Sequence, residues 1–299
     1  MSWLRALAAR APAPVFPALG AGGEALVRHL SREPGVERVG SPRHATVLLV
    51  AGEVPERAAP ALRRVHAQLP RPCATLWYRS RPLPGFPAPR VVSAAAELPG
   101  ALVGLHRAVL AGEVAGEPYL LPDAPPADWE GRGDHGQGGE GMMGGVPYGR
   151  PMAMTAADLR DGLALDVLEL TVGPFLPGLP PGLELALTLQ GDVVQACAVR
   201  SAPYPEPLPE VFLAALHEPV PVARLELERA RHHLARLAGA LEVSGSPALA
   251  GRLLAAGEGL AAGDRLAWLR PVLRGCGLLA AVALGFGVLA PEQAAWADG

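Results

Sequence analysis

The chain has 299 residues, half of them hydrophobic, with a formal charge of −3, enough for two modest domains or one large one. That balance excludes the basic face that phosphate neutralisation requires, so nucleic acid is not an expected partner. The three cysteines, Cys73, Cys197 and Cys276, form no CxxC pair and no disulfide framework, and a reducing cytoplasm is the simplest setting.

Met1–Arg10 carries charges where a signal peptide needs its apolar region, so export is not expected. Gly23–Arg32 reads as a short amphipathic helix. Thr46–Ala51 is a continuous apolar run, as in a strand buried on both faces. Ala58–Leu69 places Ala61, Leu62, Val65 and Leu69 at helical spacing. Ala74–Trp77 and Pro89–Val92 read as strands, and Leu98–Leu110 as a helix. Strand and helix alternating at this spacing predict an α/β domain with a small parallel sheet over residues 1–120.

Residues 121–155 lose all periodicity and are rich in glycine, proline and methionine. His135, Met142, Met143, Met152 and Met154 are soft ligands of the kind that suit Cu(I). They are scattered without regular spacing, and the segment reads as a solvated linker.

Residues 156–299 have a different character, predicting an α+β domain: an antiparallel β layer followed by a helical bundle. Leu165–Val172, Leu183–Gln190 and Val193–Val199 read as antiparallel strands, the last two joined by a hairpin at Gly191-Asp192. A helix follows, with Leu227, Ala230, Leu234, Leu237 and Leu241 as its apolar stripe, ended by Gly245 and Pro247. Ala248–Ala256 and Asp264–Ala290 read as further helices. The apolar run from Pro271 to Ala290 is broken by Arg274 and four glycines. It reads as a buried helix, and no membrane span is expected.

Two stretches resemble known subunits. Ser41-Pro-Arg-His-Ala-Thr-Val-Leu-Leu-Val-Ala-Gly52, followed by Ala59-Pro-Ala-Leu-Arg-Arg-Val-His66 and Gln68-Leu-Pro70, resembles the small iron–sulfur subunit. Complex I, formate hydrogenlyase and membrane-bound NiFe hydrogenases share that subunit. Leu170–Pro177, Leu185–Val194 and Glu226-Leu-Glu-Arg-Ala-Arg-His-His-Leu234 resemble the partner large subunit, which lines the quinone cavity of complex I. This second likeness places His233 on a family histidine.

The departures concern the cofactors. A 4Fe–4S cluster takes four thiolates. Leu19–Glu24 and Leu76–Ser80 stand where the family has cysteine motifs, and Cys73 by itself holds no cluster. Leu176 stands where the large subunit has a histidine, and Ala196–Pro203 lacks its histidine–glycine–glutamate–lysine motif. The family's cluster ligands are thus absent, and no cofactor is expected.

Other local patterns have plain readings. Pro42, Arg43 and His44 precede a buried strand and would orient it or meet a neighbouring subunit. His232 and His233 diverge by about 100° on a helix, which does not suit chelation of one ion; His233 would sit in a polar contact between helices. Glu228 and Arg229 would pair with neighbouring helices or remain solvated. Gly20, Gly22 and Gly23 lack the context of a phosphate loop.

Taken with the resemblance, these readings predict a non-catalytic connector subunit, cytoplasmic or peripheral on the cytoplasmic face of the inner membrane. Its partners would be membrane and peripheral subunits of a complex-I-like or hydrogenase-like NADH–quinone oxidoreductase assembly. Two alternatives stand beside it: an active quinone or electron-transfer subunit whose cofactor comes from a partner chain, and a soluble metal-handling protein built on the linker.

Overall fold

The computed structural model describes residues 7–87, 90–121, 154–157, 164–260 and 267–275. Strands β1 (Ala13–Leu19), β2 (Val36–Arg38), β3 (Val47–Ala51), β4 (Ala74–Tyr78) and β5 (Arg90–Val92) form a wholly parallel sheet in the order β2-β1-β3-β4-β5. Helices α1 (Gly23–Val27), α2 (Ala59–Ala67) and α3 (Leu98–Ala111) alternate with these strands. Leu98, Leu102 and Val109 of α3 share a core with Val47, Leu49 and Leu76 on one face. On the other, Leu62 of α2 packs among Phe16, Leu48, Val50 and Trp77. β3 and β4 are buried at every position, because a parallel strand between two helical layers has no wet face.

Strand β1 is central, yet its sequence does not read as a strand, because Pro14 and Pro17 argue against one. The ladder accommodates both. The carbonyl of Pro14 accepts from Thr46 N at 3.0 Å, while Ala13 N and Val15 O bond toward β2. Pro17 lies past the last β1–β2 pair, Val15 with Arg38. By strand alternation its missing donor faces that same unpaired side. The helix expected over Gly23–Arg32 is divided, α-helical to Val27 and a 3-10 helix over Arg28–Arg32.

The second sheet is antiparallel, with β6 (Met154–Ala157), β7 (Ala164–Val172), β8 (Glu184–Gln190) and β9 (Val193–Ser201) in sequence order. Gly191-Asp192 closes the β8–β9 hairpin as expected, with Gln190 opposite Val193 and Gly191 at φ 61°. Met154, expected in the linker, opens β6.

Helices α4 (Glu210–Ala215), α5 (Val222–Val243), α6 (Pro247–Gly259) and α7 (Leu269–Gly275) follow. Leu234, Ala238 and Leu241 of α5 bury against Leu253 and Leu254 of α6. The chain is thus α/β with a small parallel sheet, then α+β, in agreement with the sequence expectation. Of the helix expected over Asp264–Ala290, only the turns of α7 fall within the described residues. Among the described residues no helix is long and apolar enough to cross a membrane.

Candidate functional site

The two sheets' units meet along a charged and partly hollow junction. Arg28, in the 3-10 helix after α1, reaches Glu228 of α5 at 3.5 Å and Glu258 of α6 at 4.0 Å. Glu228 also accepts from Arg231 at 3.3 Å. The β7–β8 loop sends Phe175 into the buried cluster of the parallel sheet. This loop turns at Gly173, whose φ of 97° suits glycine and whose Cβ, if present, would strike the carbonyl of Leu183.

A cavity of about 340 Å³ lies in this junction, lined by residues including Pro17, Arg38, Phe175, Pro177, Glu242 and Leu254. That size falls at the lower end of small-molecule sites. Burial pushes the carboxyls of Glu24 and Glu242 up. Glu206 adds to the effect at Glu24, and Arg38 opposes it at both. Burial also pulls the Arg38 guanidinium down, against the attraction of Glu242 and Glu24. Its Nε is buried with no hydrogen-bond partner. Chemically, the site offers apolar walls, the guanidinium groups of Arg38 and Arg236, and the carboxyls of Glu24, Glu37 and Glu242.

Of the sequence-predicted residues that are described, Glu228 alone belongs to this junction. Pro42, Arg43 and His44 form a 3-10 turn leading to β3, with Ser41 Oγ accepting from Arg43 N at 3.3 Å. The Arg43 and His44 side chains are exposed there. Among the described residues Arg229 pairs with Glu226 of its own helix, at 2.7 Å on the exposed face. His233 is exposed rather than between helices, its ring 6.3 Å from that of His232. Met154 is in register with Val167 in the β6–β7 backbone ladder; His135, Met142, Met143 and Met152 lie outside the described residues. Gly20 and Gly23 abut the backbone of Glu53 and Ala51, where a Cβ would not fit. Their amides bond within the chain, to Ala51 O and Gly20 O. These glycines serve close backbone approach.

A second constellation escapes sequence reading. His66, Cys73 and Glu117 bring ligand-type atoms within 4.8 Å of one another. His66, on α2, and Cys73, just before β4, are fully buried. Glu117 follows α3 and accepts from His66 Nε2 at 2.8 Å, and from the Thr75 amide and hydroxyl at 2.7 Å each. Arg71 donates from Nη1 to Cys73 Sγ and from Nη2 to Pro118 O, and stacks on the Tyr119 ring at 4.3 Å. Burial pushes the Cys73 thiol up to about 11. No local spacing signals this grouping, since His66 and Glu117 are 51 positions apart.

The antiparallel sheet has an apolar side. Leu168, Leu170 and Val172 of β7 lie opposite Leu189, Leu187 and Leu185 of β8. Those in turn face Val194, Cys197 and Val199 of β9. Side chains directly opposite in a ladder share a face, so the nine form one aliphatic surface. None is buried; Leu168 and Val194 are each 53% exposed.

The chain's three cysteines are too few for a four-thiolate cluster, and the two described ones sit at different sheets. No protein-family model matches the chain, and no curated protein matches it.

Proposed function

We propose that the chain is a non-catalytic connector subunit that docks on partner subunits through the apolar side of its antiparallel sheet. The observation that carries this is the row Leu168, Leu189 and Val194 and its parallel rows, left open among the described residues. Covering one aliphatic side chain of this size is worth about 1.5–3 kcal/mol, so a sheet of this kind gains its stability from what it docks against. The clasped junction supports the same reading: Arg28 and Phe175 hold the two units as one piece, as a spacer requires.

The partners, on the resemblance of the 41–70 and 170–234 stretches, are membrane and peripheral subunits of a complex-I-like or hydrogenase-like assembly. The chain then lies on the cytoplasmic face of the membrane. The test is a tagged protein expressed in its own host, with gentle solubilisation and identification of what co-purifies. Recovery with proton-channel-like subunits, lost in Leu168→Lys, supports the reading. Recovery alone under mild conditions sinks it.

A second reading has one observation in its favour, the junction cavity with Arg38 and Glu242 in its wall. Its apolar lining and buried charge suit a quinone-like head group, with electrons supplied from a partner chain. Quinone-analogue titration monitored by Trp fluorescence tests it, and an Arg38→Leu variant with unchanged affinity removes it.

A further inference from the structure

The His66–Cys73–Glu117 cluster lies apart from both the junction and the apolar sheet, and neither reading uses it. Its hydrogen-bond directions are informative. A carboxylate only accepts, so the proton on the imidazole sits at Nε2, facing Glu117 Oε2 at 2.8 Å. A guanidinium only donates, so Nδ1 presents its lone pair to Arg71. It faces Arg71 Nη2 at 3.5 Å, and the other terminal nitrogen of that guanidinium contacts Cys73 Sγ. One cation thus bridges an imidazole lone pair and a sulfur.

The imidazole's outer N–H is held by a carboxylate, and that carboxylate is itself fixed by the Thr75 amide and hydroxyl. A carboxylate–histidine pair of this kind orients imidazole for a metal and raises its basicity. A shallow depression lined by Arg71, Pro72, Gly116, Glu117, Pro118 and Tyr119 lies on the Arg71 and Glu117 side of the cluster, while His66 and Cys73 are fully buried beneath. The inner side is apolar and rigid, with Phe86 edge-on to His66 at 5.8 Å and to Trp77 at 5.3 Å.

We propose that His66 Nδ1 and Cys73 Sγ, with Glu117 holding the imidazole from its other edge, form a site for a borderline-soft divalent ion of the zinc type, and that the Arg71 guanidinium is its built-in competitor. Thiolate and imidazole are donors that such an ion prefers, and the Glu117 carboxylate, engaged by His66 and Thr75, fixes the imidazole. Binding would carry Arg71 outward along the depression, where Tyr119 already receives its planar face. The thiol of Cys73 gives up its proton to solvent as sulfur takes the metal, so one proton leaves for each ion bound. Nothing is oxidised or reduced.

Arg71 sets the selectivity. Its single positive charge favours the thiolate but repels a doubly charged ion about twice as strongly, so its removal strengthens binding overall.

The experiment is calorimetric titration of the metal-free full chain with Zn²⁺, repeated with Co²⁺ to read the thiolate-to-cobalt charge-transfer band. The wild type is expected to bind one equivalent. Arg71→Gln is expected to bind at least about tenfold tighter, the size of one neighbouring charge in a partly buried site. Cys73→Ser and, independently, His66→Gln should lose the equivalent, while Cys197→Ser should keep it. Circular dichroism on each variant separates lost ligands from lost fold. Should both ligand variants unfold, the charge-transfer band of Arg71→Gln decides alone. Binding that survives in a folded Cys73→Ser, or no charge-transfer band in either the wild type or Arg71→Gln, overturns the proposal.

Discussion

Arg28 and Glu228 lie 3.5 Å apart with side chains only 11% and 19% exposed, and they join the start of the first unit to the long helix of the second. Arg28 also faces Glu258, so one guanidinium serves two helices. Replacement by leucine leaves Glu258 without this partner, while Glu228 keeps Arg231. Arg28→Leu is therefore expected to cost roughly 1–3 kcal/mol in chemical denaturation. A double-mutant cycle with Glu228→Gln should give a coupling of at least about 0.5 kcal/mol. Strict additivity would show that the pair does not hold the junction.

Phe175 is a sharper test of the same junction. Its ring is buried in the core of the parallel sheet although it belongs to a loop between antiparallel strands. Phe175→Ala should destabilise the protein by about 3–5 kcal/mol. Exposed Leu176, its neighbour, should tolerate alanine within about 0.5 kcal/mol. Equal effects at the two positions would mean that the loop is not inserted.

The two buried carboxyls make stability depend on pH. Glu24 and Glu242 are both held above their ordinary value of 4.5, chiefly by burial. The folded protein then keeps protons that the unfolded chain releases. Their contribution is greatest below that value and is lost as pH rises through the folded-state values. Glu242→Gln removes the penalty of a buried charge. Its Tm should gain on the wild type as pH rises from the ordinary value of 4.5 towards neutrality. A difference between the two proteins that stays flat across that window would contradict it.

Cysteine reactivity follows exposure and thiolate content. Cys73 is buried with its thiol pushed up to about 11, whereas Cys197 is exposed on β9. In a Cys276→Ser background, iodoacetamide should modify Cys197 in the native state and reach Cys73 only after unfolding. Comparable labelling of both thiols would place Cys73 at the surface. Bound metal, if present, would slow Cys73 further.

The apolar sheet can be probed without partners. Leu168→Lys and Val199→Lys alter side chains that are already 53% and 44% exposed. Both should leave the unfolding midpoint nearly unchanged and raise solubility. A large loss of stability would mean that the sheet is covered within the chain itself.

How much of this was legible in the sequence depends on the range of the interaction. The buried strand β3, the helix over Ala59–Ala67 and the hairpin at Gly191-Asp192 rest on local pattern, and they were readable. β1 was not, because Pro14 and Pro17 mask a strand whose ladder needs few of its amide donors. The helix after Gly23 tightens at Arg28, where the side chain is recruited by α5 and α6, a demand invisible from the first unit alone. The position of His233 beyond the centre of the apolar stripe through Leu234 predicts a polar contact between helices, but His233 lies one step round the helix and faces out. The junction cavity and the His66–Cys73–Glu117 cluster draw on segments far apart in the chain, and no spacing rule reaches them.

Phe175 has a further consequence. A core completed by a side chain from the distant half behaves like a lock that carries its own key. Cut within residues 121–155 and made as two polypeptides, the first half would lack part of its core, yet the pair should recombine. The tether would then matter for the speed and stoichiometry of assembly, and the shape of the finished molecule would be written in the two faces that meet.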